Sequence, residues 1–182
     1  MPSSDPCSIT PIIIEVYLLD PKSVLDLGVG NGKYGMLCRE YLDGWKDRYK
    51  REDWAVNIVG VEGFPEYRNP AWEFYSKILI EDFSKNYKSY TGYDLVLILD
   101  SLEHVDKETG LKILSTLREN NKAVLVCVPE GNHPQGARCG NEFERHRATW
   151  TAAELATLGG RVFFSGRSFQ KTVSCSAVLF QK

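Results

Sequence analysis

Gly28, Gly30 and Gly32 stand at alternate positions after a short apolar run at residues 23–25, and a helical pattern follows them. Glycine has no Cβ, so this backbone can turn sharply and let a ligand come close. The carboxylate of Asp26 stands where the preceding strand ends. An anion at this point favours a ligand that carries positive charge over a bare phosphate.

Segments with strand and helix character alternate along the chain. Helical spacing predicts a first helix that Thr10-Pro11 opens and Asp20-Pro21 ends. The predicted strands cover residues 23–27, 56–62, 77–80, 93–99, 122–128, 161–165 and 172–180. This alternation predicts an α/β fold with a mainly parallel sheet and helices on both faces. The last two strands are joined by a short turn and can pair antiparallel.

Length, charge and cysteine content narrow the class of protein. The 182 residues suit a single domain over residues 1–182. A net charge of −2 predicts neither nucleic-acid binding nor membrane attachment. No apolar run approaches the roughly 20 residues of a membrane span, and the start of the chain lacks a signal-peptide pattern. Five cysteines without a C-x-x-C spacing suit a reducing cytoplasm better than a disulfide framework.

Acidic side chains follow four of the predicted strands, at Asp26, Glu62, Asp82 and Asp100. Ligands in open α/β sheets bind outside the carboxyl ends of the strands, so we expect these acids to meet at one edge. Unpaired carboxylates there would repel one another. A ligand with an ammonium group, a sulfonium, ribose hydroxyls and an adenine amine would supply their partners.

The parts of such a ligand match particular residues. Glu62 is placed to accept hydrogen bonds from both ribose hydroxyls. After Gly63, the ring of Phe64 is available to stack on the adenine. Asp82 is expected to accept from the adenine amine, and the backbone of Phe83 to bond the ring edge. The charged amino-acid end of the ligand is then expected to contact Asp26, the glycine backbone and Asp100.

The motif VLDLGVGNG at residues 24–32 resembles the first motif of class I S-adenosylmethionine-dependent methyltransferases. Glu62 matches the ribose-binding acid of that family, and Asp82-Phe83 matches its adenine-edge motif. Residues 93–105 are similar to its fourth-strand motif, and residues 150–155 to a late helix start. The resemblance implies a Rossmann-like seven-stranded, mostly parallel sheet with one antiparallel strand. It also implies S-adenosylmethionine as cofactor and S-adenosylhomocysteine as product.

The resemblance leaves the methyl acceptor unidentified. An oxygen or nitrogen nucleophile on a small molecule is slightly favoured, and the oligomeric state cannot be read from the sequence. His104 is a candidate general base because its ordinary pKa is near neutral, although a histidine there also packs against a cofactor or caps a helix. The long polar segment at residues 130–150 is either a substrate-contacting loop or a solvated one. No His/Asp cluster has ligand spacing in the sequence, so we expect no metal site.

Two other functions remain open. Residues 30–35 match G-x-G-x-x-G, so a nicotinamide-dependent oxidoreductase is the first alternative. Three features count against it: Asp26 would repel a pyrophosphate, Glu62 lies 30 residues after Gly32 rather than about 20, and the last strands pair antiparallel. A non-catalytic nucleoside-binding module is the second alternative, although such a module does not need a complete set of strand-end acids.

Overall fold

The computed structural model describes residues 5–167 and 174–182. Within these residues, seven strands distributed along the chain form one sheet. The strands are β1 (Ser23–Leu27), β2 (Asn57–Glu62), β3 (Lys77–Ile80), β4 (Leu95–Leu99), β5 (Ala123–Glu130), β6 (Arg161–Arg167) and β7 (Ser174–Gln181). The helices are α1 (Pro6–Leu19), α2 (Lys33–Leu42), α3 (Phe83–Asn86), α4 (Lys107–Asn120) and α5 (Ala152–Thr157).

The spatial order of the strands is β3-β2-β1-β4-β5-β7-β6. The pairs among β1 to β5 are parallel, whereas β7 runs antiparallel to both β5 and β6. The predicted α/β fold, with a mostly parallel sheet and one antiparallel strand, is therefore confirmed. Because β1 and β4 are neighbours, the chain reverses its direction of winding between them, and a crevice opens above their carboxyl ends.

Helices cover both faces of the sheet, as the alternating pattern predicts. On one face α1 and α2 bury Ile12, Val16 and Leu42 against the sheet. On the other face α4 and α5 bury Leu117 and Leu155. Burying these side chains on both sides accounts for the continuous apolar runs of the central strands, which show no alternation. Among the described residues, no helix combines the length and the apolar character of a membrane span.

The first helix begins earlier than predicted. It starts at Pro6, and the Oδ1 atom of Asp5 accepts a hydrogen bond from the Cys7 N–H at 3.0 Å. The predicted opening at Thr10-Pro11 is wrong, because Asp5-Pro6 forms a capping acid followed by a proline at the first helical position. Pro11 lies inside the helix. The first residues of the predicted last strand, from 172, lie outside the described residues.

The end of α2 is joined to the start of β2 through one buried carboxylate, Asp43. It pairs with Arg39 and, at 2.6 Å, with Arg48, and it accepts the backbone N–H of Ala55 at 3.0 Å. Burial raises the pKa of this carboxyl, but the bonds from Ala55, Arg48 and Arg39 outweigh burial and hold the pKa below its usual value. Asp43 thus fixes the helix that follows the glycine turn.

We expect Asp43→Ala to lower the free energy of unfolding by about 3–5 kcal/mol, because the change leaves the buried guanidinium of Arg39 without its counter-ion. Urea denaturation measures this loss. The control is Glu108→Ala, which removes an exposed ion pair with Lys112 and should cost less than about 1 kcal/mol. Equal losses in the two variants would contradict a structural role for Asp43.

Candidate functional site

A cavity of about 820 Å³ lies at the carboxyl ends of the parallel strands. Residues 133–147 of the long loop after β5 form part of its wall. Eight of the residues predicted from the sequence line it: Gly28, Gly30, Glu62, Gly63, Asp82, Phe83, Asp100 and His104. Three others, Asp26, Gly32 and Phe64, lie behind the wall that the described residues form. The structure therefore brings most, but not all, of the predicted residues together.

The glycine turn adopts a backbone conformation that other residues rarely tolerate. The φ angles are +89° at Gly28, +50° at Gly30 and +78° at Gly32. The N–H of Gly28 donates to Val61 O at 2.9 Å, which ties the turn to β2. A Cβ on Gly28 would lie 2.9 Å from the Cβ of Ser101, which follows β4. The turn is thus packed between the ends of β2 and β4.

Glu62 lies at the end of β2 beside the glycine turn. Its Oε2 accepts the Gly30 N–H at 2.7 Å and its Oε1 accepts the Phe64 N–H at 2.9 Å. Burial raises the pKa of this carboxyl, while the backbone N–H groups act in the opposite direction. Each carboxylate oxygen has a second lone pair that these two backbone hydrogen bonds do not use.

Asp26 points away from the cavity, so the prediction that it faces the ligand needs correction. The side chain is 3% exposed, and its Oδ2 accepts the hydroxyl of Tyr75 at 2.5 Å. The hydroxyl of Tyr75 in turn accepts the N–H of Gly35 in α2 at 3.0 Å. Burial raises the pKa of Asp26 to about 7; the Tyr75 hydroxyl opposes the rise and the charge of Glu62 adds to it. Asp26 therefore holds, through Tyr75, the first turn of α2, which directly follows the glycine turn.

Phe64 also lies away from the predicted adenine position. Its ring packs edge-on against Tyr67, with centroids 4.9 Å apart, and against the apolar core. Two other phenylalanines line the cavity, the predicted Phe83 and Phe143 from the long loop. A Cβ on Gly63 would lie 3.0 Å from the ring of Phe143, so that ring rests directly over the glycine. Phe143 was not predicted, because its position depends on how the loop folds back.

Asp82 and Phe83 end β3 and begin α3. The Oδ1 of Asp82 accepts the backbone N–H of Ser84 at 2.9 Å, which makes this acid the N-cap of the helix. Its Oδ2 lies 3.3 Å from Nζ of Lys85. Asp82 therefore caps a helix and also lines the cavity, where the sequence predicted a contact to the adenine amine.

The segment after β4 brings polar groups to the other end of the cavity. The hydroxyl of Ser101 donates to Leu27 O at 2.8 Å, and Asp100 adopts a positive φ of +50°. Glu103 is 3% exposed; burial and the charge of Asp100 raise the pKa of its carboxyl well above the usual value. Burial, aided by His146, lowers the pKa of His104 to about 4.

The long loop is anchored to this segment by its backbone. Glu103 O accepts the N–H groups of Arg147 at 2.8 Å and Ala148 at 3.1 Å. The rings of His104 and His146 are in edge-to-face contact with centroids 5.0 Å apart. These contacts assign the loop to the wall of the cavity rather than to solvent. Glu103, His104 and His146 place one nitrogen or oxygen each within 4.8 Å of one another.

Similar folds are found among solved structures. The N-terminal domain of EvdMO1, crystallised in the presence of SAH and D-fucose, has a TM-score of 0.65 at 14% identity and matches all of this chain and 84% of its own. The methyltransferase domain of bacterial CtHen1 has a TM-score of 0.60 at 19% identity, over 96% of this chain and 97% of its own. Magnesium protoporphyrin IX methyltransferase from Synechocystis PCC 6803, crystallised with SAM, has a TM-score of 0.63 at 13% identity. The match covers 95% of this chain and 77% of its own.

The chain therefore has the fold of class I methyltransferases over nearly its whole length. No protein-family model matches the sequence. A search of curated proteins likewise gives no match. The fold is shared at sequence identities below 20%, so the function has to be argued from the residues of the cavity.

We expect Asp26→Asn to change how stability depends on pH. The folded-state pKa of about 7 lies above the ordinary value of 3.8, so the folded protein binds the proton more tightly than the unfolded chain. Wild-type stability should therefore fall as the pH rises from about 4 to 7, by an amount on the order of 4 kcal/mol from this group. Asparagine keeps an acceptor for Tyr75 and does not ionise.

The measurement is urea denaturation of wild type and Asp26→Asn at several pH values between 4 and 8. The difference in unfolding free energy, variant minus wild type, should grow in favour of the variant with rising pH. A difference that stays constant over this range would show that Asp26 does not titrate in the folded protein with a raised pKa.

Proposed function

We propose that this protein is an S-adenosylmethionine-dependent methyltransferase. The observation that carries the proposal is the order of groups along the cavity. Asp82, Glu62, the glycine turn and Asp100 follow the adjacent strands β3, β2, β1 and β4. This order matches the adenine, ribose, methionine and methyl parts of the cofactor. Two of the similar structures contain SAH or SAM, which supports the same ligand here.

The proposed pose assigns a contact to each part of the cofactor. Glu62 accepts the two ribose hydroxyls with the lone pairs that the backbone leaves free. Asp82 accepts the adenine amine, and the rings of Phe83 and Phe143 provide apolar contact. The methionine end lies over the glycine turn, where Lys33 at the start of α2 lines the cavity and offers a cation to its carboxylate. Asp100 lies at the same end and favours the ammonium group.

The reaction requires mainly alignment. A nucleophile of the acceptor attacks the methyl carbon, the bond from that carbon to the sulfonium breaks, and S-adenosylhomocysteine leaves as a neutral thioether. The acceptor proton passes to water or to a side chain of the cavity. Holding the two reactants in line and excluding water supplies much of the rate enhancement. His104 lines the cavity and is a candidate to take this proton, but a pKa of about 4 makes it a weak base.

For the acceptor, we favour a small molecule that reacts through oxygen or nitrogen. The loop after β5 closes part of the cavity, which limits the size of what can enter. D-fucose was present in the crystals of the N-terminal domain of EvdMO1, and another similar structure is magnesium protoporphyrin IX methyltransferase. Both names favour an acceptor of small-molecule size. All five cysteines are free thiols, which supports a reducing compartment such as the cytoplasm.

The nicotinamide alternative is not favoured. The antiparallel β7 between β5 and β6 departs from the all-parallel order of dinucleotide-binding sheets. The similar structures that name a cofactor or product contain SAM or SAH. Asp26 is buried against Tyr75 and would not face a pyrophosphate, so this residue does not count against a dinucleotide. The remaining features still favour a methyl donor.

Calorimetry with S-adenosylhomocysteine and with NAD tests the proposal. We expect micromolar-range binding of S-adenosylhomocysteine and no heat from NAD. Glu62→Gln should weaken the binding by about tenfold or more, because an amide cannot accept from two hydroxyls and two backbone N–H groups. Glu66→Gln is the matched control, since Glu66 is an exposed acid four residues further on and should leave binding unchanged.

Turnover with a methyl donor, screened over small alcohols, phenols, acids and amines, then separates an enzyme from a binding module. Binding of NAD in place of S-adenosylhomocysteine would reverse the assignment. Binding of S-adenosylhomocysteine that Glu62→Gln leaves unchanged would exclude the proposed pose.

A further inference from the structure

Three side chains with metal-binding atoms meet at the end of the cavity formed by the segment after β4, where the proposed methyl transfer places the acceptor (the acceptor end). Glu103 and His104 follow β4, and His146 comes from the loop after β5. One donor atom of each lies within 4.8 Å of the others. Donors bound at about 2.0–2.2 Å to one ion lie about 3–4 Å apart, so a small side-chain rotation closes this group around a cation. The expectation of no metal site, which rested on sequence spacing, overlooked this cluster because its members come from two distant segments.

The carboxylate of Glu103 has an acceptor position that the described residues do not use. Its side chain is 97% buried, and its Oε2 has no hydrogen-bond partner within residues 5–167 and 174–182. Leaving a buried carboxylate oxygen unsatisfied is costly, and native proteins rarely do so without a bound ion, a water or a functional role. The nearby charges of Asp100 and Glu144 add negative potential at this point.

The histidines are oriented by main-chain carbonyls. Nδ1 of His146 lies 2.5 Å from His133 O, and Nδ1 of His104 lies 3.3 Å from Arg145 O. A carbonyl only accepts, so Nδ1 of His146 carries the proton and its Nε2 keeps a lone pair. A backbone carbonyl on the second nitrogen is the usual support of a metal-bound histidine. The guanidinium of Arg147 is nearby but donates to His104 O at 2.8 Å.

We propose that Glu103, His104 and His146 bind a divalent transition-metal ion. Two imidazoles and one carboxylate suit Zn²⁺, Mn²⁺, Fe²⁺ or Co²⁺, whereas Mg²⁺ and Ca²⁺ prefer oxygen donors throughout. Three protein ligands leave coordination positions open, and all three residues line the cavity, so these positions face its interior.

The proposed metal site also favours one class of methyl acceptor, a hydroxyl compound. This inference rests on the proposed methyl transfer. An ion in this position is able to hold a hydroxyl oxygen of the acceptor beside the methyl donor. Coordination lowers the pKa of the hydroxyl, so the oxygen loses its proton to solvent before it attacks the methyl carbon.

Titration of the chelator-treated protein with Co²⁺ tests the site, because Co²⁺ reports its ligands through visible absorption. We expect about one equivalent to bind with a visible band, to be displaced by Zn²⁺, and to raise the unfolding temperature. Glu103→Gln and His146→Gln should each weaken binding by about tenfold or more. His133→Gln is the matched control, a histidine of the same cavity outside the cluster, and should bind Co²⁺ like wild type.

Wild-type protein without a Co²⁺ band, or equal losses in His133→Gln and His146→Gln, would overturn the site. His146 is only half-buried, so its variant tests the site even if Glu103→Gln fails to fold. Calorimetry with S-adenosylhomocysteine in the presence of a chelator keeps the two proposals apart. If wild-type protein binds S-adenosylhomocysteine but not Co²⁺, the metal site alone is rejected. If it binds Co²⁺ but not S-adenosylhomocysteine, the methyl donor alone is rejected.

Discussion

The cavity depends on two carboxylates that fix the glycine turn and the helix that follows it. Asp26, through the hydroxyl of Tyr75, fixes the N–H of Gly35 at the start of α2. Glu62 lies beside the glycine turn and accepts the N–H of Gly30. Glycines free to adopt positive φ are also free to adopt other conformations. The two acids restrict that freedom, so the turn keeps one shape against which a ligand can bind.

The second half of the cavity is built on the first. Gly28 has no Cβ, and this lets Ser101 approach the turn and donate to Leu27 O at 2.8 Å. That contact sets where the segment after β4 begins. Glu103 O then anchors the loop after β5 through two backbone N–H groups. The polar groups at the acceptor end are therefore positioned by a chain of contacts that starts at the glycine turn.

Buried acids behave differently in the scaffold and at the site. Asp43 has two guanidinium partners and a backbone donor, and its pKa is lowered. Glu62 and Glu103, which line the cavity, have fewer or weaker partners, and burial raises the pKa of each. Carboxylates that are buried without full compensation are typical of sites that bind or react. This contrast supports the proposal that the cavity binds a ligand.

The sequence by itself determined the alternation of strands and helices, the glycine turn and the acids Glu62, Asp82 and Asp100, because these signals are local. Only the tertiary structure decided which way Asp26 points: β1 is buried on both faces, so its sequence carries no alternation that distinguishes them. The meeting of Glu103 with His146 likewise depends on how a long loop packs. Sequence spacing reports contacts within one helix or strand, whereas contacts between distant segments exist only once the chain has folded.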